Sequence, residues 1–246
     1  MGNNSSIEWT NCTWNVITGC DKVSPGCKNC YAERVATRLQ KMRVKKYSNG
    51  FELRIHPDVL NYPQKLKESK MIFVNSMSDL FHEKLGFDFI VEIFNVMEKA
   101  NWHKYQVLTK RSIRLKEFAR YYGKFPDNVW IGVSVENALY KKRIDDLKTV
   151  KSKIHFLSLE PLLGSVGKMN LDDIEWVIAG GESGPNFREC NIEWLREIRD
   201  QCLRERIPFF FKQWGGLTPK SGGNILDGKT WEEFPRIKDK IILKTK

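Results

Sequence analysis

Three cysteines near the start of the chain are spaced C-x6-C-x2-C: Cys20, Cys27 and Cys30, within Gly19-Cys20-Asp21-Lys22-Val23-Ser24-Pro25-Gly26-Cys27-Lys28-Asn29-Cys30-Tyr31. An apolar, strand-like run from Trp14 to Thr18 leads into them, and a helix-like run from Tyr31 to Leu39 follows. Three thiolates on one strand-to-helix loop are donors for a soft metal centre. A structural zinc normally closes with four ligands, whereas a [4Fe–4S] cluster on three cysteines keeps one iron open for a substrate or cofactor. That difference separates an enzyme from a binding module.

The residues alone leave alternatives open. Cys12 lies eight positions before Cys20, and with Cys27 and Cys30 it could complete a four-thiolate zinc or inert iron–sulfur centre. Cys27-Lys28-Asn29-Cys30 has the thioredoxin spacing, but that use would leave Cys20 idle. Cys190 and Cys202 read as a loop thiol and a helix-core residue. Gly223 to Thr230 spells G-x4-G-K-T letter for letter, yet no strand leads in and Pro235 stops whatever follows, so it is not a phosphate cradle. Phe81-His82-Glu83-Lys84-Leu85 lacks the second histidine of a zinc protease helix. Gly180-Gly181-Glu182-Ser183-Gly184 is not a nucleophile elbow, but paired glycines after a strand let backbone approach a ligand, and Glu182 could accept from an amine or hydroxyl.

The chain has 246 residues, 41% hydrophobic and 29% charged, which fits one α/β domain with a substantial core and argues against disorder. A net charge of +11 favours polyanionic partners, nucleic acid or phosphorylated molecules. The short basic groups Arg43-Val44-Lys45-Lys46, Lys110-Arg111 and Lys141-Lys142-Arg143 read as solvated faces. Six cysteines, three of them clustered, point to metal binding in a reducing compartment, so a cytoplasmic location is expected. No apolar stretch could span a bilayer and no secretory signal opens the chain. The myristoylation-like start, Met1 to Ser6, and Asn11-Cys12-Thr13 as a glycosylation site are read as chance matches.

The positioning elements alternate. Strand-like runs cover Met71 to Asn75, Tyr105 to Leu108, Val129 to Val135, Ile154 to Leu159, Trp176 to Ala179 and Pro208 to Lys212. Helical patterns cover Asp88 to Ala100, Arg114 to Tyr122, Ala138 to Val150 and Ile192 to Arg206, the last with Asn191 as N-cap. Between Leu159 and Trp176 no full helix is legible, so one crossover is expected to be irregular. Residues 45–63 read as an inserted loop or lid and residues 215–246 as an irregular tail of a single domain, 1–246. Counting the run before Cys20, seven strands suit a doubly wound sheet or a partial or full (β/α) barrel. Every polar cluster falls just after a strand, as it does where a barrel gathers its active site, so the expected fold is the barrel.

The motif residues carry a family likeness. Ile7-Glu8-Trp9-Thr10, Thr13-Trp14-Asn15, Thr18-Gly19-Cys20 and Ser24 to Glu33 closely resemble the opening of an uncharacterised phage- and prophage-associated family known for a three-cysteine motif like that of radical S-adenosylmethionine (SAM) enzymes. The likeness continues through Phe73 to Phe81, Leu159-Glu160-Pro161-Leu162, Gly180 to Pro185 with Arg188, Phe211-Lys212-Gln213-Trp214-Gly215, and Leu226 to Trp231. The usual motif of the radical SAM superfamily is C-x3-C-x2-C, so this chain departs from it by three residues in the first interval. The superfamily's glycine-rich segment for the methionine amine follows the second strand, where this chain has Ser76-Met77-Ser78-Asp79.

The resemblance implies a radical SAM or TIM-like barrel, a [4Fe–4S] cluster on Cys20, Cys27 and Cys30, and S-adenosylmethionine chelated to the open iron. Its implied cofactor contacts are Tyr31, Ser78, Asp79, Lys110, Ser134, Glu136, Asn137 and Glu160, and its substrate-side residues are Glu182, Arg188, Lys212 and Trp214. It further implies an external electron donor, a nucleotide or nucleic-acid substrate and a genomically associated partner protein. The rival reading is a non-catalytic, metal-stabilised binder of nucleic acid or of a protein partner.

Overall fold

A computed structural model describes residues 5–236; the first four residues of the myristoylation-like start and the last ten of the tail lie outside them. In chain order the strands are β1 (Cys12–Trp14), β2 (Ile17–Thr18), β3 (Arg54–Ile55), β4 (Met71–Val74), β5 (Lys104–Thr109), β6 (Val129–Ser134), β7 (Ile154–Leu159), β8 (Trp176–Gly180), β9 (Phe209–Gln213), β10 (Ile225–Leu226) and β11 (Lys229–Thr230). The helices are α1 (Tyr31–Lys41), α2 (Phe87–Lys99), α3 (Ser112–Tyr122), α4 (Lys142–Lys148) and α5 (Ile192–Glu205).

Seven strands form one sheet in the order β1-β4-β5-β6-β7-β8-β9, and every neighbouring pair is parallel. A sequential order has no point of reversal, so right-handed crossovers put all the connecting helices on one face and the sheet curls around the other. The result is a partial barrel: β1 and β9 are its edges and do not pair with each other. The segment from Glu160 to Glu175 contains no helix, as its lack of periodicity foretold.

Strand alternation sorts the side chains. Ile72, Val74, Val107, Ile131, Val133, Leu157, Leu159, Val177, Phe209 and Phe211 belong to the core between sheet and helices. Their neighbours Met71, Phe73, Trp130, Phe156, Trp176, Ile178 and Phe210 form a second cluster with Trp9 on the concave face. The rings meet edge to face, Trp9 to Phe73 at 4.7 Å and Trp130 to Trp176 at 5.9 Å between centroids, and they floor the barrel at the N-terminal ends of the strands.

The first sheet strand, Cys12–Trp14, ends where the expected run from Trp14 to Thr18 begins. β4 ends at Val74 because Asn75 takes a left-handed backbone, φ 57°. The Asn75 amide still donates to the Trp14 carbonyl (2.8 Å), but its side-chain oxygen then takes the Ile17 amide (3.2 Å) and draws the chain out of the ladder. Ile17 and Thr18 pair instead, antiparallel, with Ile55 and Arg54. The excursion at 45–63 is thereby stitched down: Trp14 Nε1 donates to Val59 O (2.9 Å), and Thr18 Oγ1 and His56 Nε2 lie 2.8 Å apart.

The G-x4-G-K-T segment is a hairpin of β10 and β11, antiparallel, with Asp227 and Gly228 both at positive φ (51° and 75°) in its turn. Residues after it run along the free edge of β9, where Phe211 donates to Trp231 O and Glu233 donates to Phe209 O. No helix among the described residues is long and apolar enough to cross a membrane.

Candidate functional site

The same alternation that floors the barrel with aromatic rings sets polar side chains above them, at the C-terminal ends of the strands. Lys110, Ser134, Glu136, Ser158, Glu160, Glu182 and Lys212 continue the inward-facing positions of β5 to β9. Lys212 Nζ and Glu160 Oε1 form an ion pair at 2.6 Å. They come from β9 and the end of β7, and Gly180 on the intervening β8 has no side chain to obstruct them.

The cysteine loop is fastened to this rim at three strand ends. After β5, Arg111 Nη2 donates to Cys20 Sγ (3.6 Å) and to Asp21 O (3.1 Å). Arg111 is itself 7% exposed, pairs with Glu83, and has Nε 3.9 Å from Asp79 Oδ2. After β6, Glu136 accepts from the Ser24 hydroxyl on one oxygen and from Arg143 Nη1 (2.8 Å) on the other. After β8, Glu182 accepts from Asn29 Nδ2 (2.9 Å), from the Arg188 amide (3.0 Å) and from its guanidinium (2.9 and 2.6 Å). Arg188 Nη2 also donates to Pro25 O (3.0 Å). Burial raises the Glu182 carboxyl, but the bonds from Arg188 and Asn29 outweigh it and hold the group below the usual carboxylate range.

Two glycines make the loop possible. Gly19 sits at φ 85°, and a Cβ there would lie 2.1 Å from Glu52 O. A Cβ on Gly26 would lie 2.5 Å from Glu136 Oε1, and Glu136 is fully buried and held from two sides. Gly26→Ala is therefore expected to lift the loop off β6 and cost about 1–3 kcal/mol; urea unfolding checks it, and an unchanged midpoint would show that Glu136 yields freely.

Within this frame all three cysteines are partly buried on one loop. A Cys27 thiolate would repel charge at both Cys20 and Cys30. Burial, then the nearby Asp79, push the Cys20 thiol up to about 11, against the opposing pull of Arg111. Burial likewise raises Cys30, and the Lys110 ammonium acts in the other direction. Lys110 Nζ forms no ion pair among the described residues. Cys12 stands apart: it opens β1, 2% exposed, within the core between sheet and helices. Cys190 is half-buried, and Cys202 is a buried residue of α5 in the core between sheet and helices.

Of the other residues singled out in the sequence, Asp79 gives its carboxylate to the Thr109 hydroxyl (2.7 Å) and the Phe81 and Lys110 amides (both 3.0 Å), tying β4 to β5. Ser78 Oγ donates to Ile17 O (3.0 Å), and the Tyr31 hydroxyl donates to Ser76 O. Ser134 is buried at the end of β6. Asn137 caps the turn at Ala138–Tyr140 through Leu139 N (3.0 Å). Trp214 packs on the helix side of the sheet and donates to Ile225 O (2.9 Å).

Sequence reasoning set Arg111 in a polar cluster just after a strand without giving it a role, and missed Arg143, Ser24 and Asn29. Both arginines also belong to groups read as solvated faces, and the structure corrects that reading: each is 7% exposed. Nothing local marked Arg143. The His82-Glu83 pair, no metal helix, also serves the loop, with His82 Nε2 3.1 Å from Asp21 Oδ2 and Glu83 on Arg111.

Residues 4–235 match the family described as "Protein of unknown function (DUF5131)". No curated protein matches the chain. Among solved structures it is similar to spore photoproduct lyase complexed with dinucleoside spore photoproduct, with 13% identity and a TM-score of 0.41 over 77% of this chain and 60% of that one. A mutant of the same lyase with bound AdoMet and dinucleoside spore photoproduct matches at 14% identity, again with a TM-score of 0.41 over 77% of this chain and 60% of that chain. The chain thus spans 60% of the length of the lyase chains it matches.

Proposed function

The chain belongs to this family of unknown function, and from that premise we propose that it is a radical SAM-like enzyme whose Cys20, Cys27 and Cys30 hold a [4Fe–4S] cluster and whose open iron takes S-adenosylmethionine. The observation that carries the reading is the seating of the three-cysteine loop at the polar end of an open parallel barrel, fastened there by charged groups that follow three strands.

Three soft thiolates on one loop suit an iron–sulfur cluster that keeps one iron open, whereas a structural zinc closes with four ligands, and Cys12, the further candidate, lies in the core between sheet and helices. Among the described residues no group of three or more His, Cys, Asp or Glu side chains is already set to hold a metal ion. When bound, the cluster and S-adenosylmethionine supply one-electron cleavage of a sulfonium, the entry to radical chemistry.

The protein's own groups do the rest. Lys110, whose ammonium acts on the Cys30 thiol and forms no ion pair among the described residues, would receive the SAM carboxylate. Glu136, Glu182 and Arg188 would hold the cysteine loop, and Lys212 paired with Glu160 would offer a polar pair to the substrate. The aromatic floor excludes water from below.

Anaerobic iron and sulfide analysis with EPR of the dithionite-reduced protein tests the reading. A [4Fe–4S] signal that shifts on adding S-adenosylmethionine is the expected result. Zinc in place of iron, or a cluster indifferent to S-adenosylmethionine, would sink it and leave the non-catalytic binder standing.

A further inference from the structure

Charge on this protein is concentrated beside the site. Between Lys28 and Lys46 the chain carries seven cations, Lys28, Arg34, Arg38, Lys41, Arg43, Lys45 and Lys46, against one acid, Glu33. That stretch holds more than half of the net +11. Helix α1 arranges its share in a row: Tyr31, Arg34, Arg38 and Lys41 recur at intervals of three and four and so lie along one stripe. At 1.5 Å per residue the stripe is about 15 Å long.

Glu33, Arg34, Thr37, Arg38 and Lys41 line a surface cavity of about 460 Å³. Glu33 is already paired with Lys22 at 2.9 Å, and Arg34 reaches across to Ser183 O (2.7 Å) on the loop after β8. Arg38, Lys41, Arg43 and Lys45 are exposed and make no ion pair with any described carboxylate. Exposed cations without partners repel one another and cost stability unless an anion joins them. The row begins at the site itself, since Tyr31 follows Cys30 directly and leaves its side 48% exposed.

We propose that this stripe, with the cations that follow α1, is the track for the sugar–phosphate backbone of a single-stranded nucleic acid, with Arg38 and Lys41 of the helix and Arg43 and Lys45 beyond it on phosphates and Tyr31 as a stacking platform for the base nearest the cysteine loop. The proposal assigns a substrate class to the enzyme proposed above and rests on that reading only for the word substrate. A single strand is favoured over a duplex for two reasons. A base reaches a concave site only when it is out of the stack, and a basic groove ending in an exposed aromatic ring is what an unpaired strand needs.

Fluorescence anisotropy with labelled 20-nucleotide oligo-dT and oligo-rU, a hairpin duplex and anionic phospholipid vesicles, without reductant or S-adenosylmethionine, tests it. The wild-type protein is expected to bind one or both single strands at about 50 mM salt, with affinity falling steeply as salt rises. The triple variant R38Q/K41Q/R43Q should bind at least about tenfold more weakly and show a log–log salt slope shallower by about 2. Lys124→Gln with Lys153→Gln, remote from α1, should bind as wild type does. Equal binding by the triple variant, no binding by the wild type, or preference for duplex or vesicles would overturn the proposal. Because the assay needs no cluster turnover, strand binding by a protein that fails the iron and EPR test would retain this surface and remove the enzyme.

Discussion

Cys27→Ser is expected to reduce bound iron and sulfide to under about a tenth of the wild-type content, and Cys20→Ser and Cys30→Ser to do the same, while Cys12→Ser keeps the wild-type value. The contrast follows from place. Cys27 shares with Cys20 and Cys30 a loop whose two ends and middle are each bonded to the barrel rim. Cys12 opens a strand, and its side chain is packed between sheet and helices. A serine hydroxyl is a poor replacement for a soft thiolate, so each loop substitution removes a ligand. Loss of iron in Cys12→Ser as well would identify a four-thiolate centre and remove the open position on which the enzymatic reading depends.

Glu182→Ala is expected to destabilise the protein by about 1–3 kcal/mol, because it leaves the half-buried Arg188 charge without its partner and frees Asn29 from the rim. The isosteric Glu182→Gln should retain packing yet lose the charge, which gives a pH signature that a cavity alone would not. The Glu182 carboxyl is held below its usual range in the folded chain. Its contribution is therefore present above the unfolded value of about 4.3 and disappears as pH falls through the folded one. Urea midpoints between about pH 6 and pH 3 should fall less for Glu182→Gln than for the wild type. Parallel pH profiles for the two would mean that Glu182 does not carry its charge in the fold. Iron retention measured alongside should drop in Glu182→Ala, since Arg188 also anchors Pro25, two residues before Cys27.

Much of the site was legible because the barrel is built from a local rule. Apolar runs bounded by turns located six of the seven sheet strands and touched β1 only at Trp14, and the period of two that buries Trp130, Phe156 and Trp176 on the concave floor carries on to Glu136, Glu160 and Glu182 at its mouth. The bare crossover from Glu160 to Glu175 was legible by the same rule, through its lack of periodicity. What stayed hidden depends on strands far apart in sequence. That Glu136 and Glu182 face the cysteine loop follows from where Ser24 and Asn29 arrive, more than a hundred residues away along the chain. Arg111 and Arg143 looked like surface charges because a long side chain reveals its burial only through its partners. The end of β1 was misjudged for a related reason: its apolar run continues, but the left-handed Asn75 of its neighbour stops the ladder.

The floor of the barrel imposes an order on folding. Trp176 packs against Trp9 at 6.3 Å and against Phe234 at 5.0 Å, so one ring is clasped by residues from near the two extremes of the described chain. A ribosome delivers Trp9 first and Phe234 last, and contacts of such sequence separation close slowly. Until Phe234 has emerged, the nascent barrel has an unfinished base and exposed indoles. Nascent chains stalled before Phe234 should consequently engage chaperones and be cut by protease within sheet strands that the completed chain protects.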